Sequence, residues 1–390
     1  MNPHYIVNIM SKSRKFCYLP AYDVKGTSMN GKKALIGMSG GVDSSVAALR
    51  MVESGYDCIG ATMHLYRNNT PTPEGHNTCC ALEDVEDARS VARKLGIPYY
   101  VFNFQDAFRE QVIQHFVDAY ESGLTPNPCI ECNRKLKFDA SLDRALILGC
   151  DYVVTGHYAR IRKDPDSGRY LLYKAADRAK DQTYFLACLN QHQLSHTQFP
   201  LGGLTKEQVR FIAQENGLVN AQKHDSQDIC FVPGGDYAAF LERFTGKRYP
   251  AGAFLNLDGK PIGQHRGAVC YTLGQRKGLG LAMGEPVYVC AKDMAANTVT
   301  VGPNEALYSS ALRADIWNWI PFSALTGPMQ VSVKIRHSQS EQSGTVYPED
   351  DGKARVVFDQ PQRAVTPGQA VVLYQGELVI GGGTITQAIR

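Results

Sequence analysis

The feature that most restricts the fold of this chain is a serine- and glycine-rich loop between an apolar run and an amphipathic helix. The apolar run Ala34–Met38 leads directly into the heptapeptide SGGVDSS at residues 39–45. Apolar residues then recur at helical spacing, which predicts a strand, a tight loop and a helix over Ser44–Glu53. Glycines let a backbone approach an anion closely, and N–H groups and hydroxyls at a helix start can cradle it. The sequence therefore predicts a phosphate-binding loop, with a plain glycine turn as the alternative.

Residues 31–223 alternate short apolar runs with amphipathic stretches, which is typical of a parallel sheet covered by helices on both faces. Further strands are predicted at Cys58–Met63, Tyr99–Phe104 and Tyr152–Gly156. Helices are predicted at Leu82–Leu95, Phe108–Glu121 and Lys135–Gly149. Ligands bind such doubly wound sheets beyond the carboxyl ends of the strands. We therefore expect the loop, Met63, residues 127–133 and Gly156 to converge at this edge.

The character of the chain changes twice after this region. Residues 224–286 are short segments punctuated by glycines, which predicts a small central linker domain. Residues 287–390 carry alternating apolar runs between Gly, Pro and Asp turns, which favours a small β-barrel. Residues 1–30 are predicted to be a flexible tail, or to lie upstream of a true start at Met29, with an organelle transit peptide as a further alternative. The expected fold class is α/β, a doubly wound parallel-sheet domain over 31–223 followed by these two smaller domains.

Charge and cysteine content limit the possible partners. The formal net charge of +3 equals the net charge of the first 28 residues, so the rest of the chain is neutral overall. A nucleic acid would have to be bound by local basic patches, such as Arg134–Lys137, rather than by bulk charge. No apolar run approaches the ~20 residues of a membrane helix, and no secretory signal is evident. Eleven cysteines, an odd number, indicate a reducing, cytoplasmic setting.

The segment TPNPCIECN at residues 125–133 is a candidate for cysteine chemistry. Its two prolines exclude a helix before Cys129, while the residues that follow it are helix-like. Cys132 should therefore lie near a helix N-terminus, where the dipole, Arg134 and Lys135 would lower the pKa of its thiol. A Cys-x-x-Cys pair fits a redox pair, half of a zinc site or a cluster ligand. Structural zinc is disfavoured because no second pair follows at finger spacing.

A second candidate is HDSQDICF at residues 224–231, where Cys230 lies in a polar, hinge-like segment. A reactive thiol is the favoured interpretation, with core packing as the alternative. Three other cysteines, Cys58, Cys150 and Cys188, stand in apolar runs and are expected to be buried.

Six motifs together resemble the tRNA-specific 2-thiouridylases, which belong to the PP-loop ATP pyrophosphatases. They are SGGVDSS, TPNPxxxCN, TGHYAR, KDQTYFL, SQDICF and YTLGQRKGLGL, and the match runs from about Lys32 to the C-terminus. The resemblance implies an enzyme that replaces the C2 oxygen of the wobble uridine of tRNA with sulfur. It implies ATP and Mg²⁺ as cofactors and tRNA as substrate. It also implies a sulfur-relay protein or a cysteine desulfurase as sulfur donor.

The same resemblance implies roles for individual residues. A persulfide on Cys230 would deliver sulfur, and Cys132 would act as nucleophile or form a transient disulfide with Cys230. ATP would be bound by Gly37, Met38, Ser39, Gly40, Gly41, Val42, Asp43 and Ser44, with Met63 and Gly156 near the adenosine. The Asp43 carboxylate is suited to hold Mg²⁺ against the departing pyrophosphate. Transfer RNA would contact Asn127, Pro128, Cys129, Lys180, Asp181, Gln182, Arg336 and His337.

One departure from the family pattern opens an alternative chemistry. Some members carry Asp at the position of Cys129, and an ordinary thiol is mostly neutral at pH 7 where a carboxylate is charged. Cys129, Cys132 and Cys230 could instead hold an iron–sulfur cluster with one open iron. Two other functions compete with thiolation: another PP-loop ligase that adenylates a small molecule, and a non-catalytic RNA-binding protein. The intact loop argues against the second, and the two cysteines argue against the first.

Overall fold

The expected parallel sheet is present in a computed structural model that describes residues 31–65, 82–223 and 229–390. The predicted tail and residues 224–228 of the Cys230 motif lie outside the described residues. The first seven strands are β1 (Lys33–Gly37), β2 (Asp57–His64), β3 (Tyr99–Asn103), β4 (Tyr152–Val154), β5 (Arg160–Lys163), β6 (Tyr170–Tyr173) and β7 (Thr197–Gln198). Five of them form a sheet in the order β3-β2-β1-β4-β7, and all its pairs are parallel. The order reverses beside β1, where the serine–glycine loop begins.

Eight helices are described, and the first two follow the prediction closely. They are α1 (Val42–Glu53), α2 (Leu82–Leu95), α3 (Gln105–Phe108, Arg109–Gln114 and His115–Glu121), α4 (Pro128–Glu131, Cys132–Ala140 and Ser141–Ile147), α5 (Thr183–Leu186), α6 (Gln191–Ser195), α7 (Lys206–Glu215) and α8 (Tyr237–Thr245). The middle segments of α3 and α4 are π-helical.

Helix α4 begins earlier than the sequence predicted. Asn127 is its N-cap and Pro128 its first residue, a position where the missing proline N–H costs nothing. Cys132 therefore lies beyond the first turn, where the expected influence of the helix dipole on its thiol has weakened.

A four-stranded sheet forms the central unit. Its strands are β8 (Gly252–Leu255), β9 (Pro261–His265), β10 (Tyr288–Asp293) and β11 (Thr298–Gly302), in the order β10-β11-β8-β9. The sequence assigned the strands at β10 and β11 to the C-terminal barrel, but β11 pairs with β8 over three registered residue pairs. Alternation alone cannot say which sheet a strand joins. We therefore propose a domain boundary after β11 in place of the expected one at residue 287.

The C-terminal unit is the expected β-barrel. Its strands are β12 (Tyr308–Trp319), β13 (Met329–Lys334), β14 (Gln342–Pro348), β15 (Ala354–Arg363), β16 (Ala370–Gln375) and β17 (Leu378–Ile389). They follow the order β12-β15-β14-β13-β16-β17, and a further β12–β17 pairing closes the ring. Closure leaves no open sheet edge. The β5–β6 hairpin of the first unit joins the barrel through Leu378 and Tyr173.

The hydrophobic cores cross the unit boundaries. One cluster joins α3 residues such as Phe108 and Phe116 to Phe254 and Val299 of the central sheet. Another joins the parallel sheet to barrel residues such as Tyr374. These shared cores fix the three units against one another, and so position the segments that each contributes to the site. In the part of the chain that the structure covers, no helix combines the length and apolarity needed to span a membrane.

Candidate active site

The serine–glycine loop is held by bonds among its own residues. The backbone N–H of Ser39 donates to Ser44 Oγ at 3.1 Å, and Ser44 Oγ–H donates to the Gly41 carbonyl at 3.0 Å. Gly40 has φ +75°, and a Cβ there would collide with the backbone of Asp84, so only glycine suits this position. The loop turns into the N-terminus of α1, and N–H groups at such a position are of the kind that bind anions.

Gly156, at the carboxyl end of β4, lies directly against this loop. A Cβ on Gly156 would be 2.7 Å from both Asp43 C and Ser44 N. The next residue, His157, has its Nδ1 2.7 Å from Thr155 Oγ1. Burial lowers the pKa of His157 well below its ordinary value, and Lys137 acts in the same direction. The imidazole at this edge is therefore neutral at pH 7.

Met63 lies at the end of β2, and its sulfur accepts a hydrogen bond from Ser141 Oγ at 3.4 Å. The predicted nucleotide residues from β1, β2 and β4 thus all lie at the carboxyl edge of the sheet. Their role in binding ATP remains a prediction.

Asp43 has partners that the sequence analysis missed. Lys206 Nζ donates to both carboxylate oxygens of Asp43 at 2.8 Å, and Tyr158 Oη–H donates to Oδ1 at 2.7 Å. Asn220, which follows α7, donates to the Gly40 carbonyl at 2.9 Å and to Ser45 Oγ at 2.8 Å. All three of these partners are buried. The region after β7 therefore clamps the loop from one side.

A signal in the sequence could have found Lys206. Thr205 and Gln208 form a capping box, a pattern that marks a helix start. A helix that follows a parallel strand begins at the carboxyl edge of the sheet, which is the edge of the loop. Lys206, the first residue of that helix, was therefore a candidate by position.

The partners of Asp43 bear on the predicted magnesium site. Lys206 engages both of its oxygens, so an ion at Asp43 would have to share the carboxylate with an ammonium group. Within residues 31–65, 82–223 and 229–390, no group of three or more His, Cys, Asp or Glu residues is arranged to hold a metal ion.

The two candidate reactive cysteines pack against one hydrophobic cluster. Cys132 and Cys230 are both half-buried and both border the core that contains Phe231. Phe231 anchors the second segment, because its ring lies 5.8 Å from Phe108 and 5.1 Å from Phe116 of α3, measured between centroids. Packing therefore brings together the neighbourhoods of two residues that are far apart in the sequence.

Three described cysteines of the α/β unit, Cys58, Cys150 and Cys188, have surroundings that disfavour a thiolate. Cys58 and Cys150 are buried, as predicted, and burial raises the pKa of Cys58 to about 11. Cys188 is half-buried, and burial raises the pKa of its thiol to about 12. Such thiols carry almost no thiolate at pH 7. Cys129, in contrast, is exposed at the start of α4.

The residues predicted to bind tRNA come from three segments that meet. Asn133 Nδ2 donates to the Phe185 carbonyl at 3.4 Å, which joins α4 to α5. The His337 ring lies 4.4 Å from the Phe185 ring, which joins the barrel to α5. Gln369 Nε2 of the barrel donates to the Thr125 carbonyl at 2.9 Å. Residues 125–133, 180–185 and 336–337 therefore form one region of the molecule.

Several of these side chains are engaged within the protein. Asp181 accepts hydrogen bonds from Ala175 N at 2.8 Å and from Thr183 Oγ1 at 2.5 Å. Gln182 Oε1 accepts from Tyr158 N at 2.9 Å, and Arg336 donates to the Ala364 carbonyl at 3.0 Å. These three side chains therefore fix the loops that carry Lys180 and His337.

Three family models match successive parts of the chain. A tRNA methyl transferase HUP domain matches residues 32–234, a tRNA methyl transferase PRC-barrel domain matches 238–303, and an aminomethyltransferase beta-barrel domain matches 309–385. The three ranges together cover most of the described chain.

Relatives match over nearly their full length. Proteins named tRNA-specific 2-thiouridylase MnmA from Acetivibrio thermocellus and Symbiobacterium thermophilum are both 52% identical to this chain, over 360 and 363 residues. Each alignment covers 92% of this chain, and it covers 100% of the first relative and 93% of the second. The relative of the same name from Clostridioides difficile is 47% identical over 358 residues, which are 92% of this chain and 99% of its own.

Among solved structures, a 4-thiouridine synthetase–RNA complex with bound ATP is 16% identical, with a TM-score of 0.33. That match covers 55% of this chain and 50% of the other, and it is too weak to carry an argument.

Proposed function

The chain belongs to the family of tRNA-specific 2-thiouridylases, and we propose that it uses ATP to replace the C2 oxygen of the wobble uridine of tRNA with sulfur. The observation that carries this proposal is the pair of sites built by one fold. One is the serine–glycine loop at residues 39–45, to which we assign the phosphates of ATP; Gly156 lies against it and Lys206 bonds to its Asp43. The other is a pair of cysteines, Cys132 and Cys230, on a shared core. Adenylation needs the first site and sulfur transfer needs the second.

The first step activates a poor leaving group. The uridine C2 oxygen attacks the α-phosphorus of ATP, the α–β phosphoanhydride bond breaks, and pyrophosphate leaves. The loop N–H groups and the Ser39 and Ser44 hydroxyls would hold the phosphates, because donors aimed at developing negative charge lower the barrier. ATP enters such sites with Mg²⁺ coordinated by its phosphates and by water.

The second step delivers sulfur. The terminal sulfur of a Cys230 persulfide attacks the activated C2 carbon, and AMP leaves. The Cys132 thiolate then attacks the Cys230 sulfur, so that the S–S bond to the uridine sulfur breaks and 2-thiouridine is released. The two cysteines are oxidised to a disulfide while the transferred sulfur is reduced, and an external thiol must restore them. Disulfide formation requires Cα atoms within about 7 Å, and packing of both residues on one cluster supports such an approach.

The sulfur source is part of the same proposal. A persulfide on Cys230 must come from a donor protein, either a sulfur-relay protein or a cysteine desulfurase. Both work on reduced thiols, so we place the enzyme in the cytoplasm, where tRNA is also found. The iron–sulfur alternative would need Cys129 as a third ligand, a thiol that the two-cysteine scheme does not use.

Two variants separate the steps. Asp43→Ala should abolish tRNA-dependent pyrophosphate release from ATP and leave tRNA affinity nearly unchanged. Cys230→Ser should still release pyrophosphate but yield no 2-thiouridine with a persulfide donor. Cys290→Ala, which changes a buried cysteine of the central sheet, is the control for thiol loss. Nucleoside mass spectrometry and a pyrophosphate assay provide the readouts. Thiolation by Cys230→Ser, or normal pyrophosphate release by Asp43→Ala, would contradict the assignment.

A further inference from the structure

The buried ion pair between Lys206 and Asp43 has no role in the chemistry described above. Lys206 Nζ lies 2.8 Å from each Asp43 oxygen, and the two side chains are 11% and 31% exposed. Asp43 lies in the first turn of α1, the helix that follows the loop. A lysine is thus held at the wall of the predicted phosphate site.

Stability does not account for a lysine at this position. Lys206 is the first residue of α7, and a helix N-terminus disfavours a cation. Burying an ion pair also costs desolvation energy that the pair seldom returns in full. Backbone N–H groups at the start of α7 already have acceptors in the Thr205–Gln208 capping box and in Asp177, which accepts from Lys206 N at 2.9 Å. The helix therefore does not need the Lys206 ammonium.

The charge is suited to the ligand of the loop. Pyrophosphate is a dense polyanion, and the Asp43 carboxylate alone would repel it from the N–H groups of the loop. The Lys206 ammonium cancels that charge, and its flexible stem carries three donors that can turn to a phosphate oxygen.

We propose that Lys206 binds the departing pyrophosphate, and that Asp43 is a positioning residue that holds the Lys206 ammonium beside the loop until ATP arrives. The inference rests on the proposed function, since it assigns a further group to the same adenylation step. As the α–β bond breaks, negative charge grows on the β-phosphate oxygen, and the ammonium stabilises that charge with no proton transferred.

This assignment replaces the magnesium role expected for Asp43. A metal ion at Asp43 would compete with Lys206 for the same two oxygens, whereas the Mg²⁺ that accompanies ATP needs only phosphates and water as ligands. Binding of pyrophosphate without any divalent ion is therefore the measurement that separates the two roles.

The test uses the full chain with inorganic pyrophosphate in EDTA, followed by calorimetry and by competition with ATP. Asp43→Asn removes the carboxylate that pairs with Lys206 and should bind pyrophosphate at least as tightly as the wild type. The double variant Lys206→Met/Asp43→Asn removes both charges, so no buried charge is left unpaired. It should bind at least about tenfold more weakly than Asp43→Asn, as expected for loss of a charged hydrogen bond. Lys174→Met/Glu341→Gln is the matched control, since it removes both charges of another ion pair whose side chains are 10% and 31% exposed.

The outcomes distinguish this inference from the proposed function. Equal pyrophosphate affinity of Asp43→Asn and the double variant, measured without a divalent ion, would overturn the role of Lys206. If the wild type binds no pyrophosphate in competition with ATP, the loop assignment fails, and the proposed function fails with it. Thermal unfolding of each variant identifies loss of fold.

Discussion

The phosphate loop and the cysteine pair are built in opposite ways. The loop is one run of seven residues whose serines bond to one another, and the elements around it only clamp a shape already formed. Cys132 and Cys230 stand on separate segments, and only the packing of Phe231 against α3 brings their surroundings together. A local site tolerates distant changes but not a clash within it. An assembled site depends on side chains that take no part in the chemistry.

The largest loss of thiolation is expected for a cysteine variant, which tests directly whether the assembled site depends on two thiols. Cys132→Ala should reduce thiolation to background, because no thiol remains to release the product from Cys230. Cys129→Ala should keep most activity in air, since the exposed Cys129 thiol has no part in the two-cysteine scheme. Quantified 2-thiouridine after a fixed reaction time is the measurement. An inactive Cys129→Ala variant, with iron and labile sulfide in anaerobic protein, would instead establish a cluster enzyme.

A methyl group on Gly156 tests how rigid the loop is. In Gly156→Ala the new Cβ would meet Asp43 and Ser44 backbone atoms at 2.7 Å, so the loop must shift. A displacement of about 1 Å in such a site can cost about 100-fold in rate, and we expect that loss in pyrophosphate release. Persulfide loading of Cys230 should not change. Gly327→Ala is the control, because no atom lies within 4 Å of its Cβ position. Normal pyrophosphate release by Gly156→Ala would mean that the loop can shift without loss of activity.

Phe231→Leu tests the assembled site without touching either thiol. The substitution removes ring contacts with Phe108 and Phe116, each worth about 0.5–1.5 kcal/mol beyond burial. Weaker anchoring leaves the Cys230 segment less often in its reactive position, so thiolation should fall by up to about tenfold if about 1.4 kcal/mol of contact energy is lost, while pyrophosphate release stays unchanged. Phe358→Leu, a buried phenylalanine of the separate barrel core, controls for lost core volume. Equal losses in both assays would show that the two sites are not independent.

The smallest effect concerns a charge that neither kind of site uses. Lys292 Nζ is buried without a hydrogen-bond partner, and burial lowers the pKa of Lys292 to about 8. Between pH 8 and the ordinary value of 10.5 the unfolded chain binds this proton more readily. The stability of the wild type should therefore rise with pH across that window. Lys292→Met should raise the melting temperature at pH 7 and flatten this rise, as measured by thermal unfolding at several pH values. Unchanged thiolation would confirm that the central sheet is only a scaffold.

Local patterns in the sequence determined most of the fold. The loop, helix α2 and the strands β1 to β4 follow from periodicity and glycine placement, because side-chain alternation and backbone freedom act over a few residues. The buried state of Cys58 and Cys150 follows in the same way, from the apolar runs that contain them.

Tertiary structure decided what those patterns leave open. The sheet that β10 and β11 join depends on partners elsewhere in the chain, and the start of α4 depends on whether Pro128 opens a helix or precedes one. Lys206 and Asn220 reach the loop only because β7 lies beside β4. The sequence alone therefore predicted the groups to which we assign the chemistry. The side chains that hold and neutralise those groups were decided by contacts between distant segments, for which a local pattern carries no signal.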